Sequence, residues 1–287
     1  NLKNLEQDLQ QDKTKDKQNT YNIINIYEDI LEDICLSDKI EHYMHHGSNL
    51  FNQETICCDG NKGNNTFGNW RLKVVQIADD EDGNYFIVND TEPHYNIMKE
   101  NHREFNSEKI YLDAYPQQTT AGGERYPEVN SAINTCVDRG ALIVHYVGHG
   151  GEVGLAQERV VTIPEIQSWR NINMLNLFVS NTCEFTRYDD PGRISAGEWV
   201  SLNPNGGGIA LMTTTRPVFF NVNTLTGEAF YNNVFQRNAD SLALTFGEII
   251  RRTKNESGTS DNKRCFTLIG DPALSLSIPN FKIITDS

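Results

Sequence analysis

The stretch ALIVHYVGHGG, residues 141–151, decides how the rest of the chain is read. Its first seven residues suit a strand covered on both faces, since only His145 interrupts the apolar run. The run then stops on His149, with Gly148 before it and Gly150 and Gly151 after it. A core strand needs no such ending, and a surface turn has no use for an imidazole. His149 is therefore a turn residue, a metal ligand or a catalytic base, and the flanking sequence has to choose.

On either side, short apolar runs alternate with helical patterns. LKVVQIAD (72–79) reads as a strand that ends in the acidic loop DDEDGN (79–84), followed by a polar helical stretch to about residue 104. KIYLDAY (109–115) reads as a strand. PEVNSAINTCVDRG (127–140) reads as a helix with Val129, Ile133, Cys136 and Val137 on one face and Gly140 as its stop. LNLFVSNTC (175–183) and GGGIALMTTT (206–215) are strands. SAGEWVSLN (195–203), with Ser195 as N-cap, is a helix, as are 223–236 and 244–254. RCFTLIGDPALSLSI (264–278) closes with a strand or a strand pair. Alternation of this kind predicts an α/β layered fold with a mainly parallel sheet. No GxGxxG or GxxxxGK[ST] follows a strand, which removes the nucleotide-binding versions.

The amino-terminal part differs in texture. Residues 1–20 are polar and read as mobile, and 21–46 reads as a helix carrying Ile23, Tyr27, Ile30, Leu31 and Ile34 on one face. His42, His45 and His46 follow at metal-ligand spacing, but no Cys or carboxylate is assigned to join them, so they read as a solvated helix end. CCDGNKGNNTFGN (57–69) is loop-like and marks a boundary: residues 1–65 form a divergent segment of unknown role, and 66–280 form the α/β domain.

With 287 residues the chain can bury a sizeable core. A net charge of −14 argues against nucleic acid as a partner, because phosphate binding needs clustered Lys and Arg. No apolar run is long enough to span a bilayer, and the first residues lack a signal-peptide core. The six cysteines contain no CxxC pair and make a poor disulfide framework, which leaves room for a working thiol.

In open parallel sheets, ligands sit beyond the carboxyl ends of strands. Three such ends stand out: Asp79 to Asp82, then Gly148 to Gly151, then Asn181-Thr182-Cys183-Glu184. A thiol ionises near about 8.5 in water and needs a base to become a good nucleophile. An imidazole supplies that base and returns the proton to a leaving amine. Glycines let the backbone approach a substrate and aim N–H groups at an oxyanion, and a carboxylate can fix the imidazole. His149 thus reads best as a base beside Cys183. His145, inside the strand, reads as packed. Cys136 and Cys265 read as structural. The His149, Cys183 and acidic residues do not form a closed metal-ligand set.

The segments VHYVGHGGEVGLAQERV, LFVSNTCEFTRYDDPGRISAGEWVSLNPNGGGIALMTTTRPVF and FTLIGDPALSL resemble the gingipain-like cysteine peptidases, family C25, and within it the sortase branch that serves type IX secretion. The resemblance runs from about residue 67 to 278. It implies a caspase-like three-layer α/β/α sandwich and a Cys–His dyad of Cys183 and His149. It also implies an oxyanion hole from the N–H groups of Gly150 and Cys183. The carboxylate that orients His149 is expected in DDEDG, Glu81 first and Asp80 or Asp82 next. Thr214, Thr215 and Arg216 fall where relatives line the primary specificity pocket. No cofactor is implied beyond a structural calcium. Implied partners are proteins carrying C-terminal sorting domains, an amine of lipopolysaccharide as acyl acceptor, and other surface components of the secretion system, at the cell surface or outside it. The alternative is a degenerate peptidase domain kept as a scaffold in a surface assembly.

Overall fold

The computed structural model describes residues 68–279. The helix expected over 21–46, its three histidines, Cys35, Cys57, Cys58 and the boundary near 65 lie outside the described residues.

A six-stranded sheet organises the domain. Its strands are β1 (Lys73–Ala78), β2 (Asn106–Tyr111), β3 (Ile143–Val147), β4 (Asn176–Asn181), β5 (Gly208–Thr214) and β6 (Phe266–Ile269). The spatial order is β2-β1-β3-β4-β5-β6, parallel throughout except for the β5–β6 pair. The order reverses at β1 and β3, so the loops leaving those two strands open a crevice at the carboxyl edge.

Helices cover both faces. They are α1 (Glu92–Asn101), α2 (Pro127–Asp138), α3 (Ile163–Ser168), α4 (Ala196–Leu202), α5 (Phe220–Asn233) and α6 (Phe246–Glu256). Alternate strand residues sort to the two sides. Val74, Ile143, Leu177, Val179 and Met212 pack with Met98 of α1, Phe230 of α5 and Ile249 of α6. Val75, Ile77, Val144, Phe178 and Leu211 pack with Val129 and Ile133 of α2, Ile166 of α3 and Val200 of α4. Being buried on both faces is why these strands read as continuous apolar runs.

Local chemistry sets the helix ends. Pro127 opens α2, and Gly140 stops it at φ +86 against Met174 and Trp70. Val129, Ile133 and Val137 are fully buried, each contributing about 1.5–3 kcal/mol by area. Ser195 opens α4, where Glu198 accepts its backbone N–H at 2.8 Å and its hydroxyl at 2.6 Å.

Some boundaries depart from expectation. The second strand occupies 106–111, not 109–115, because Leu112–Ala114 turns as a 3-10 helix. It is an edge strand with exposed Asn106 and half-hidden neighbours, so its first half carries no apolar signal. Of the two closings expected over 264–278, a strand or a strand pair, the single strand is present, followed by irregular chain with one bridge, Ser275 to Thr245. A three-stranded ribbon of Gly150–Gly151, Gly154–Leu155 and Val161–Thr162, and the helix α3 that follows it, were not foreseen.

Between the sheet and α1/α5 lies a buried polar cluster. His145 Nδ1 is 3.1 Å from the Tyr231 hydroxyl, and the His94 ring stacks on Tyr231 with centroids 4.9 Å apart. Burial holds both histidines neutral, pushing His145 down to about 4. Asp90 is also fully buried, and neither carboxyl oxygen is satisfied among the described residues. Desolvation lifts it to about 6, and the Thr224 hydroxyl, spent on the Phe220 carbonyl, offsets little. A carboxyl raised on folding binds its proton more tightly in the native state. The native state therefore loses stability as pH rises from about 4 to about 6. Asp90→Asn is expected to stabilise the protein at pH 7 by ~1–3 kcal/mol and to change little at pH 4, as urea unfolding at the two pH values will register.

Candidate active site

The site is built on the end of β1. Asp79 is fully buried, and its Oδ2 accepts the His149 backbone N–H at 2.9 Å while Oδ1 accepts the Glu81 N–H at 3.3 Å. Burial raises the Asp79 carboxyl, and the His149 and Glu81 N–H groups pull it back down. The Tyr146 hydroxyl reaches both partners, 2.6 Å from the His149 carbonyl and 3.2 Å from Asp79 Oδ2. The backbone of His149 is thus gripped at both its N–H and its carbonyl.

The glycines answer to contact distances. A Cβ on Gly148 would sit 2.3 Å from the Asp79 Cβ, and one on Gly150 would sit 2.6 Å from Thr182 Oγ1. Gly151 meets nothing within 4 Å. Two of the three glycines exist to let the His149 turn press against the ends of β1 and β4.

The imidazole is oriented by Asp82, whose Oδ2 lies 2.8 Å from Nε2. Glu81, the first expectation for this role, makes no contact with the ring; its N–H is tied to Asp79 instead. The cause is a left-handed turn: Asp82, Gly83 and Asn84 have φ of 55°, 68° and 63°. These are the residue types that tolerate that region, and the turn swings the Asp82 carboxylate toward His149. Two aromatic edges complete the ring's surroundings, Phe86 at 5.3 Å and Phe220 at 6.0 Å between centroids.

Cys183 follows β4 as His149 follows β3. The two strands pair in parallel up to Val147 and Asn181, so His149 and Cys183 each lie two residues beyond the last paired position. The sulfur accepts the Val218 N–H at 3.4 Å and lies 3.7 Å from the Val218 carbonyl. No hydrogen bond joins it to the imidazole. One segment, 218–220, nevertheless touches both groups, through the Val218 backbone at the sulfur and the Phe220 ring at the imidazole. Glu184 then takes φ of 52°, so the chain turns sharply past the thiol. Among the described residues the Cys183 N–H makes no hydrogen bond.

Arg187 braces the two loops. It pairs with Glu152, three residues beyond His149, at 2.7 Å and with Glu184, next to Cys183, at 3.6 Å. Neither Arg187 nor Asp79 was singled out from sequence as part of the site; Asp79 was legible only as one of four acids in a row.

The expected pocket residues divide. Thr214 is fully buried, and its hydroxyl donates to the Thr182 carbonyl. It therefore supports the Cys183 loop and offers no surface to a substrate, correcting that expectation. Thr215 donates its N–H to the Cys265 carbonyl at 3.0 Å. Arg216 is exposed and forms a two-pronged pair with Asp189, one prong at 2.9 Å, which holds the Asp189 carboxyl below the usual range. Cys136 donates to Glu108 at 2.8 Å and is pushed up to about 12, chiefly by burial, which makes it inert. Among the described residues no three His, Cys, Asp or Glu side chains are grouped to hold a metal.

These distances set a pair of stability outcomes. Gly148→Ala forces overlap with Asp79 and is expected to cost more than ~2 kcal/mol, whereas Gly151→Ala is expected to stay within ~0.5 kcal/mol, both read by urea unfolding.

The sequence matches the profile of Peptidase family C25 over residues 49–277. No curated protein matches it significantly. The fold is similar to that of the Arg-specific cysteine proteinase gingipain R, with a TM-score of 0.60, 16% identity, and coverage of 84% of this chain and 52% of that one. The complex of Porphyromonas gingivalis RgpB pro- and mature domains gives a TM-score of 0.59, 15% identity, and coverage of 83% and 53%. The chain thus spans about half the length of these structures. At such identity the likeness speaks for the fold, and the caspase-like α/β arrangement with helices on both faces of a mainly parallel sheet is the one present. With the profile spanning 49–277 of the 287 residues, the chain belongs to peptidase family C25.

Proposed function

We propose that this domain is a cysteine endopeptidase in which Cys183 is the nucleophile and His149 the base. The observation that carries this reading is that segment 218–220 brings its Val218 backbone to the Cys183 sulfur and its Phe220 ring to an imidazole already fixed by Asp82. Nε2 is engaged by Asp82, so Nδ1 is the nitrogen left to take the thiol proton. The thiolate attacks the scissile carbonyl and forms a C–S bond. The oxyanion is met by the N–H of Cys183, which has no other partner among the described residues, together with that of Gly150. His149 then hands the proton to the leaving amine as the C–N bond breaks, and an acyl-thioester remains on Cys183. Asp82 holds the ring and stabilises it when protonated.

The finer reading follows the sequence resemblance to PorU-like sortases of type IX secretion. On it, the substrates are secreted proteins with C-terminal sorting domains, cut at or outside the cell surface. The thioester is then resolved by water or by an amine of lipopolysaccharide, whichever is better positioned. The motif order GHG, TCEFTR and GDPAL supports this branch.

One observation favours the scaffold alternative: the sulfur is engaged by Val218 and not by the imidazole. Catalytic hydrogen bonds commonly tighten only when substrate binds, so the open arrangement is compatible with turnover. Kinetics on a cleavable peptide separates the two. Cys183→Ala is expected to lower kcat/KM by at least ~10³-fold, Asp82→Asn by ~10–100-fold, and Glu81→Gln by less than ~3-fold. No turnover by the unmodified chain, or equal losses for Asp82→Asn and Glu81→Gln, would support the scaffold or a different orienting acid respectively.

A further inference from the structure

A groove of about 780 Å³ opens beside His149, lined by His149, Gly151, Val153, Ala156, Arg159 and Ile163 among others. It is bounded by the ribbon and α3, whose Leu155, Val161 and Ile166 belong to the α2/α3/α4 side of the sheet. Segment 218–220, which touches the sulfur, leads into α5 on the other side. His149 therefore stands between two surfaces, and the groove includes His149 but not Cys183.

That asymmetry has a chemical meaning. In thiol catalysis the acyl part stays on sulfur, while the amine that departs must receive its proton from the imidazole. The chain attached to that amine runs outward past the imidazole. A groove that begins at the imidazole and leaves out the sulfur is placed for the departing segment.

Its lining has a chemical preference. Val153 is 60% exposed, an apolar side chain with no protein partner covering it. Arg159 is exposed, and among the described residues its guanidinium makes no hydrogen bond or ion pair; only its backbone is held, by the Ala156 carbonyl at 3.2 Å and by Asn130 Nδ2 at 3.0 Å. Arg159 is therefore a cation at the groove left available to a carboxylate of a ligand. Ala156 and Arg159 also take left-handed φ of 58° and 61°, strain that a plain surface loop would shed by using glycine or asparagine.

We propose that this groove binds the part of a substrate polypeptide on the carboxyl side of the cleaved bond, with an apolar side chain against Val153 and Ile163 and an Asp or Glu carboxylate on Arg159. The inference rests on the peptidase reading for its direction but is testable without turnover. Affinity selection of a random octapeptide library on the full chain carrying Cys183→Ala is expected to enrich Asp and Glu over Lys and Arg by roughly fivefold or more against the input. Bulk electrostatics push the other way, since a chain of −14 attracts basic peptides. Adding Arg159→Glu should invert that ratio. Adding Gly151→Phe, whose side chain would enter open space in the groove, should cut total capture by about tenfold. An acid-to-base ratio that survives Arg159→Glu, or capture indifferent to Gly151→Phe, overturns the proposal. Cleavage of the same library by the unmodified chain is scored separately, so absent turnover counts against the peptidase reading and unchanged selection counts against the groove.

Discussion

The hydrogen bond from the His149 N–H to the buried Asp79 carboxylate is the constraint on which the site depends. It ties the end of β3 to the end of β1, at the place where the strand order reverses. It can form because Gly148 has no Cβ to strike Asp79. Once His149 is fixed there, the neighbouring acidic loop needs only a left-handed turn to bring Asp82 onto the ring, and β4, paired in parallel beside β3, ends two residues before Cys183. A buried carboxylate is costly without partners. Here it is met by two backbone N–H groups and lies within reach of the Tyr146 hydroxyl, so the group that positions the site is itself held.

The two faces of the sheet contribute unequally to this arrangement. The α1/α5/α6 side supplies aromatic edges to the imidazole and a backbone clasp to the sulfur. The α2/α3/α4 side supplies the glycine ribbon and an open groove. Arg187 spans the loops that follow the two strands, tying Glu152 to Glu184 through one guanidinium. Side chains on loops otherwise sample many positions, so such a tie holds the His149 and Cys183 loops in place.

The strands of the sheet's centre were legible from sequence because both faces are buried and the runs are mostly apolar. The helix over 127–140 was legible through its apolar spacing and its glycine stop. The edge strand was misplaced because one half of it faces solvent and carries Asn106 and Glu108. The ribbon after His149 gave no periodic signal at all: its strands are two residues long and held by backbone pairing. His149 and Cys183 stood out in the sequence because chemistry-bearing residues at strand ends are few, and both follow the ends of β3 and β4. That Asp82 and not Glu81 lies against the imidazole has a local reason. Four acids in a row offer no periodicity, and what separates them is the left-handed turn for which Asp-Gly-Asn is the available signal.

The proposed chemistry has the Cys183 sulfur attack the scissile carbonyl carbon while the His149 imidazole takes the thiol proton and hands it to the leaving amine. The most direct measurement is mass-spectrometric mapping of the adduct formed with a peptidyl acyloxymethyl ketone, on the full chain and on the chain carrying His149→Ala. A thioether on Cys183 alone, formed at least ~10-fold more slowly without the imidazole, is the expected result. An adduct on Cys136 or Cys265, or a Cys183 adduct whose rate ignores His149, would contradict it.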